Sequence, residues 1–290
     1  VFDIELIKKV RLSVLEMITR ARSSHIGSAF SIVEILYVLY FHVLNVNPEE
    51  PLIEGRDKFI LSKAHASSAL YATLAHKGFF SLDLLNNYML NNGTIPAHLD
   101  MTVVPGLEIS AGSLGHGLPI GLGMAIAANK KFHCELLDSP NKLNERLAQV
   151  FVLVSDGELN EGSVWEAIML AGSLKLTNLK LIVDYNKIQS FGLTNEIINQ
   201  ANIAERLRAF GWEVLEVHGH DLNQIYEALI CDNSGKPLAV VANTVKGCGV
   251  SFMENKLAWH YKSPSEEEFK MAQEEILNLS IESLAGRAYA

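Results

Sequence analysis

Short apolar runs recur along the chain, and each ends in a polar or glycine-containing cluster: KFILSKAHA, VFVLVSDGE, LKLIVDYNK, WEVLEVHGHD and LAVVANTVKG. The runs do not alternate cleanly between apolar and polar positions. Continuous Val/Ile/Leu stretches of this length suit strands covered on both faces. Most are separated by segments with helical content, such as GHGLPIGLGMAIAANKK and SVWEAIMLAGSLK. The pattern predicts an α/β fold, a parallel β-sheet flanked by helices on both faces. The opening segment adds an amphipathic helix, with Leu6, Val10, Val14, Met17 and Ala21 at helical spacing and Lys8, Lys9 and Glu16 off that stripe. A second helix is expected to start at SIVE, where Ser31 and Glu34 have capping-box spacing. The last stretch, SPSEEEFKMAQEEILNLSIESL, reads as a capped acidic helix, a solvated tail over 263–290 rather than a docking arm. No repeat, low-complexity tract or Pro/Ser-rich linker divides the chain, so residues 1–290 are expected to form a single domain.

In open parallel sheets ligands bind beyond the carboxyl ends of the strands. The polar clusters follow the apolar runs, so they fall at that edge. Asp156, Glu158, Glu161 and Asp184 all lie close to two of the runs, an expensive place for carboxylates unless they hold something. Asp156-Gly157 ends one strand, and Asn186 ends the next, 30 residues later. A lone Asp-Gly is usually a turn. Here a second oxygen donor after the adjacent strand, with a helix between, reverses that reading. Asp156 and the Asn186 side-chain carbonyl offer hard oxygens to Mg2+ or Ca2+, with Mn2+ as a further option. Gly157 lets the backbone approach a phosphate, and the helix starting near Glu161 can point its N-terminal amides at that anion.

Composition narrows the partners. Hydrophobic residues make up 49% of the 290 and charged residues 20%, enough for a sizeable core. A net charge of −9 disfavours nucleic acid and anionic membranes. Cys134, Cys231 and Cys248 have no paired spacing and read as reduced thiols in a cytoplasmic protein. FSIVEILYVLYFHVL is too short for a membrane span and carries a Glu. The N-terminus lacks the pattern of a signal peptide.

The Asp156-Gly157 to Asn186 spacing resembles the thiamine-diphosphate-binding motif, Gly-Asp-Gly followed about thirty residues on by Asn at adjacent strand ends. Nearly the whole chain resembles the N-terminal, diphosphate-binding domain of transketolase. The matching segments, in the family's order, are SSHIGSAFS, LSKAHASSALYA, PAHLD, SAGSLGHGLPIGLGMA, SDGELNEGSVWEA, DYNKIQSFG, GHD and TVKGCGVSFMENKLAWH. The likeness extends to split transketolases, in which this domain is a separate subunit. Departures fall at Ser155 (family Gly), Ser24 and Ile26 (family Gly and Pro), Ala64 (Gly), Ala97 and Leu99 (Gly and Pro) and His116 (often Gln). They keep the chemically capable groups and alter their packing, which touches substrate identity more than cofactor identity.

The resemblance implies two cofactors, thiamine diphosphate and a divalent cation held by Asp156, Asn186 and the Ile188 carbonyl. It implies that Gly112, Ser113, Leu114, Gly115 and His116 wrap the cofactor, together with Asp156, Gly157 and Glu158. Of the carboxylates near the strand ends, Glu158 and Asp184 otherwise read as bystanders. Of ten histidines, four fall on family motifs that face cofactor or substrate. His25 and His260 are implied proton-transfer residues, chemistry that suits a group titrating near neutrality. His98 would hold substrate hydroxyls, and His65 would contact the diphosphate side. His220-Asp221 reads as structural. Glu161 is either a relay to a second active site or a carboxylate favoured by a helix dipole.

Cofactor activation in this family needs a Glu on a pyrimidine-binding domain that has no counterpart in these segments. The expected protein is therefore one half of an α2β2 transketolase, partnered by a separate C-terminal subunit, with sugar phosphates as substrates. Together they would transfer a two-carbon ketol unit from a ketose to an aldose. Two alternatives stay open: a pyruvate-using or specialised-sugar carboligase of the same superfamily, and a non-catalytic cofactor-binding subunit.

Overall fold

A computed structural model describes residues 1–138, 146–200 and 202–287 of the chain. Each of the five apolar runs forms a strand: β1 (Lys58–Leu61), β2 (Val150–Ser155), β3 (Leu179–Tyr185), β4 (Glu213–His218) and β5 (Leu238–Asn243). They pair in the order β1-β2-β3-β5-β4, every pair parallel. β2 is buried at every position, whereas β4, at the sheet edge, keeps Glu216 exposed. The continuous apolar runs thus mark strands covered on both faces.

The helices complete two layers. Along the first half run α1 (Ile4–Ala21), α2 (Ile26–Phe30), α3 (Val33–Val38) with a π turn at Leu39–Val43, and α4 (Ser67–Lys77). Then come α5 (Gly117–Asp138), α6 (Gly162–Leu174), α7 (Thr194–Ile197), α8 (Ile203–Ala209), α9 (Leu222–Ile230), α10 (Glu266–Leu277) and α11 (Ile281–Ala285). Successive strand residues point to opposite faces, and the core divides accordingly. Phe151, Leu153 and Ile182 pack with α1, α3, α4 and α9. Val150, Val152, Leu181 and Val183 pack with α5, α6 and α8. No helix among the described residues is long and apolar enough to cross a membrane.

Two expectations about helix ends are corrected. Ser31 does not N-cap a helix: it closes α2 at its C-terminal end, Ile32 holds the N-cap position of α3, and the Ser31 hydroxyl turns inward to the Ser28 carbonyl (2.9 Å) and Asp184 (2.7 Å). Glu34 is likewise claimed by the buried Arg11 and His220 side chains. The pattern of a capping box is present, but both side chains make stronger interactions elsewhere. The C-terminal segment is not a solvated tail. α10 has the foreseen cap, with Ser265 and Glu268 bonded reciprocally, but it lies along α1 and buries Ala272 and Ile276.

The carboxyl ends of the strands set up the site. β1 leads into Ser62 and Lys63, β2 into Asp156, β3 into Asn186, and β5 into Thr244 and Lys246. The register places Ser155 opposite Asp184 and Tyr185 opposite Asn243, so these polar segments end side by side.

Candidate active site

Asp156 follows β2 with its amide donating to the Asp184 carbonyl at 3.2 Å. One carboxylate oxygen accepts the Gly157 N–H (2.7 Å) and the other the Thr194 hydroxyl (2.8 Å). Burial raises its pKa, and the neighbouring charge of Asp184 adds to that. The Asn186 amide nitrogen donates to Asp184 (3.1 Å), which turns its Oδ1 toward the Ile188 N–H (3.1 Å). The Ile188 carbonyl accepts the Lys246 ammonium at 2.8 Å, so a cation already rests on one of the three expected ligand oxygens. The donor set is all oxygen, as Mg2+ and Ca2+ require. A buried carboxylate with a raised pKa is one that an added cation stabilises. These residues fit a divalent cation.

Glu158 and Asp184 are not bystanders. Asp184 is fully buried at the end of β3 and accepts from the Lys63 ammonium and from the hydroxyls of Ser31 and Thr244, besides the Asn186 amide. Burial works to raise its pKa, but the Lys63 charge together with the hydrogen bonds from Lys63, Thr244 and Ser31 outweighs it, and the net shift is downward. Glu158 is also fully buried, beneath the glycine-rich loop. It accepts from the Ser62 hydroxyl, the Gly115 N–H (2.8 Å) and, more distantly, the Ser155 N–H (3.4 Å). Ser155, the departure from the family glycine, points its hydroxyl at the Glu158 N–H (3.2 Å) and stays within the turn.

The loop itself is closely fitted. Gly115 has φ +84°, and a Cβ there would lie 2.8 Å from Glu161 Cβ and from Ser163 Oγ. Gly117 opens α5 directly against Ser62, and any side chain would collide with it. Gly112, Ser113 and His116 face solvent, and Leu114 is half-buried. The exposed His116 ring lies 3.2 Å from the Leu114 carbonyl. Glu161 is exposed at the first position before α6 and makes no capping bond with its side chain.

Three of the four selected histidines form one cluster. The His25 ring lies 5.2 Å from that of His65 and 4.9 Å from that of His260, centroid to centroid. His25 adopts φ +75°, held there by its N–H donating to the His260 carbonyl (3.0 Å), and its buried Nδ1 has no hydrogen-bond partner. Burial, then the charges of His98 and Lys246, bring its pKa down to about 4. His260 Nδ1 accepts from Lys246 (2.9 Å), which leaves Nε2 as the protonated, donating nitrogen. Burial and the Lys246 charge lower its pKa to about 3. His65 Nε2 pairs with the Ser28 hydroxyl at 2.9 Å. His98 is exposed, with its ring packed over Gly112. Lys246 ties the two halves together, bonding both Ile188 and His260; burial and Lys63 lower its pKa to about 8.

The sequence and the fold have known counterparts. The model of the transketolase thiamine diphosphate binding domain matches residues 2–279. The chain belongs to the transketolase family. One relative, a subunit of an apulose-4-phosphate transketolase from Actinobacillus succinogenes, is 40% identical, with 87% of each chain covered. Another, a 6-deoxy-6-sulfo-D-fructose transketolase subunit from a Clostridium species, is 37% identical over 92% of this chain and 93% of the relative. Among solved structures, a Pichia stipitis transketolase in complex with sedoheptulose 7-phosphate superposes with a TM-score of 0.87 at 26% identity. That match covers 98% of this chain, which spans only 42% of the yeast chain.

Within this transketolase fold, sequence reasoning passed over several residues. Lys63 and Lys246 lie in the quoted segments LSKAHA and TVKG, and a lysine at the end of an apolar strand run was the available signal. Thr194 and Thr244 carried no such mark. Tyr261, 4.8 Å from His260 and 6.3 Å from His25 by ring centroids, stands exposed at the rim of the cluster. His220 is internal, as expected of a structural residue, bonded to Glu34 and to the Val245 N–H (2.8 Å each).

Proposed function

We propose that this chain is the cofactor-anchoring subunit of a two-subunit transketolase that moves a two-carbon ketol unit from a ketose phosphate to an aldose acceptor. The single observation that carries the reading is the meeting of buried oxygen donors at the ends of β2 and β3 with the His25–His65–His260 cluster, joined through Lys246. Thiamine diphosphate supplies the carbon nucleophile and stores the electron pair of the two-carbon fragment. Asp156, Asn186 and the Ile188 carbonyl would hold Mg2+ against the diphosphate. Segment 112–116, with His65, Gly157 and the turn at Glu158, would line the cofactor.

The chain's own groups then handle protons. Cleaving a ketose requires a proton to leave a hydroxyl, and addition to an aldose returns one. His25 is neutral at working pH, and its unpartnered Nδ1 is free to accept that proton. His260, donating through Nε2, would bind the substrate oxygen beside it. His98, at the exposed rim, would hold further hydroxyls. Glu161 would connect paired sites across an α2β2 assembly, a reading supported by its exposure and by exposed Met169, Leu170 and Leu174 on the same helix, which suit contact with a second copy.

The partner is a separate chain with the pyrimidine-binding domain and its activating Glu. The substrates belong to specialised sugar metabolism, a choice supported by relatives named for apulose 4-phosphate and 6-deoxy-6-sulfo-D-fructose. The test is ketol transfer from a panel of ketose phosphates, sulfofructose and pyruvate, by the chain alone and with the partner. Transfer from a ketose only when both are mixed is expected. Full turnover by this chain alone, or a preference for pyruvate, would overturn the proposal.

A further inference from the structure

The geometry points to Glu158 as a positioning residue: a buried carboxylate that locks the glycine-rich loop onto the metal-ligand turn and so gives the cofactor site its shape. This rests on the reading that segments 112–117 and 155–157 hold the cofactor. Three pieces of chain distant in sequence meet at this one side chain. From the end of β1, the Ser62 hydroxyl donates to Glu158, while Ser62 Oγ accepts the Gly117 N–H at 3.0 Å. From the loop, the Gly115 N–H donates to the same Glu158 oxygen at 2.8 Å. From the turn, the Ser155 hydroxyl receives the Glu158 N–H, so carboxylate and backbone are both fixed at residues next to Asp156.

The site needs this connection. The loop from Gly112 to His116 is largely solvent-facing, and an unsupported segment with several glycines would be costly to order when a ligand arrives. Glu158 reaches up from the buried side and bonds two of its elements, one directly and one through Ser62. The Ser163 hydroxyl adds a bond to the Gly115 carbonyl at 2.7 Å, so Gly115 is held at both its N–H and its C=O. The partners that Glu158 bonds are hydroxyls and amides. Acceptance of hydrogen bonds is therefore its function. A glutamine at this place keeps one oxygen to accept from Ser62 and Gly115, whereas an alanine leaves both donors unpaired.

The experiment compares wild type, Glu158→Gln and Glu158→Ala by two readouts. Hydrogen exchange of the free chain reports the amides of Gly115 and Gly117 against those of β2 and β3. Calorimetry with Mg2+ and thiamine diphosphate, with the partner subunit present, reports affinity. E158A is expected to lose protection at Gly115 and Gly117 while the strands keep theirs, and to bind the cofactor about 10–100-fold more weakly, the usual effect of losing a supporting contact. E158Q is expected to restore both. If E158A does not fold, Ser62→Ala removes the link to Gly117 while leaving the carboxylate, and the same loss at Gly117 is expected. Wild-type binding that E158A or S62A leaves unchanged overturns the role of Glu158 alone. Failure of the wild type to bind at all overturns the cofactor-site reading, and this role with it.

Discussion

Two buried charged regions of the chain differ in how far their charges are compensated. In the first, Arg11 bonds both oxygens of Glu34 (2.6 and 2.8 Å) and the Cys248 carbonyl (2.6 Å), and His220 donates to Glu34 while accepting the Val245 N–H. Burial pushes the Glu34 pKa up, but Arg11 and His220 outweigh it and hold it at about 2. In the second, burial and Asp184 raise Asp156, burial lowers Lys246 to about 8, and His25 Nδ1 has no partner. The first region joins α1, α3 and the segment after β5 and compensates its charges within the chain, although the buried Arg11 Nε has no hydrogen-bond partner. The second leaves charge under-compensated at the open edge of the sheet. Charge satisfied internally holds a fold together; charge left under-compensated in a cleft is where an external ion or substrate gains binding free energy.

The largest expected effect is on chemistry. His25→Ala should lower kcat/KM of the reconstituted enzyme by about 10²–10⁴-fold, the range for loss of a general base. Its melting temperature should barely move; turnover close to wild type would remove His25 from the mechanism. On stability the order reverses. Glu34→Ala leaves Arg11 buried and unpaired and should cost about 3–5 kcal/mol in urea unfolding. Asp156→Asn, which removes an under-compensated charge, should be neutral or mildly stabilising in the absence of divalent ions. Equal destabilisation by the two would erase the distinction between the regions.

Asp184→Asn sharpens the comparison because Asp184 belongs partly to each type. It balances Lys63 internally, yet it also takes the Asn186 amide nitrogen and so turns the Asn186 Oδ1 toward the Ile188 N–H. Mg2+ affinity should fall by about 10–100-fold through misorientation of Asn186, read by titration with Mg2+ at fixed cofactor. Smallest is the pH effect. The folded-state pKa values of His25 (about 4) and His260 (about 3) lie below the ordinary 6.5, so below 6.5 the unfolded chain binds protons that the folded one does not. Stability should therefore fall as pH drops from about 6.5 toward about 4. Glu34 acts lower, its contribution being lost from its ordinary 4.5 down through about 2. Replacing both histidines should weaken the dependence of melting temperature on pH between about 6.5 and about 4, and His65, whose pKa burial also lowers well below 6.5, should contribute to the part that remains.

The sheet was legible because all five strands are buried on enough of their surface to need continuous apolar runs, and parallel order follows from the helices between them. The order of β4 and β5 was not, since nothing in either run says which is the edge. Asp156, Asn186 and the histidines were visible as family motifs. Glu158 and Asp184 were misjudged because a sequence shows a carboxylate near a strand end without showing the donors, here Ser62, Gly115, Lys63 and Thr244, that come from other strands and loops. The false capping box at Ser31 and Glu34 has the same origin: local spacing was right, and long-range partners prevailed.

The ends of β2 and β3 are proposed to hold thiamine diphosphate through a divalent cation on Asp156. Calorimetric titration of thiamine diphosphate into the chain with its partner, with Mg2+ and with a chelator, tests it for wild type and Asp156→Asn. Wild-type binding that disappears on chelation and is lost in D156N is expected. Binding that survives chelation, or that D156N retains at wild-type strength, would contradict it.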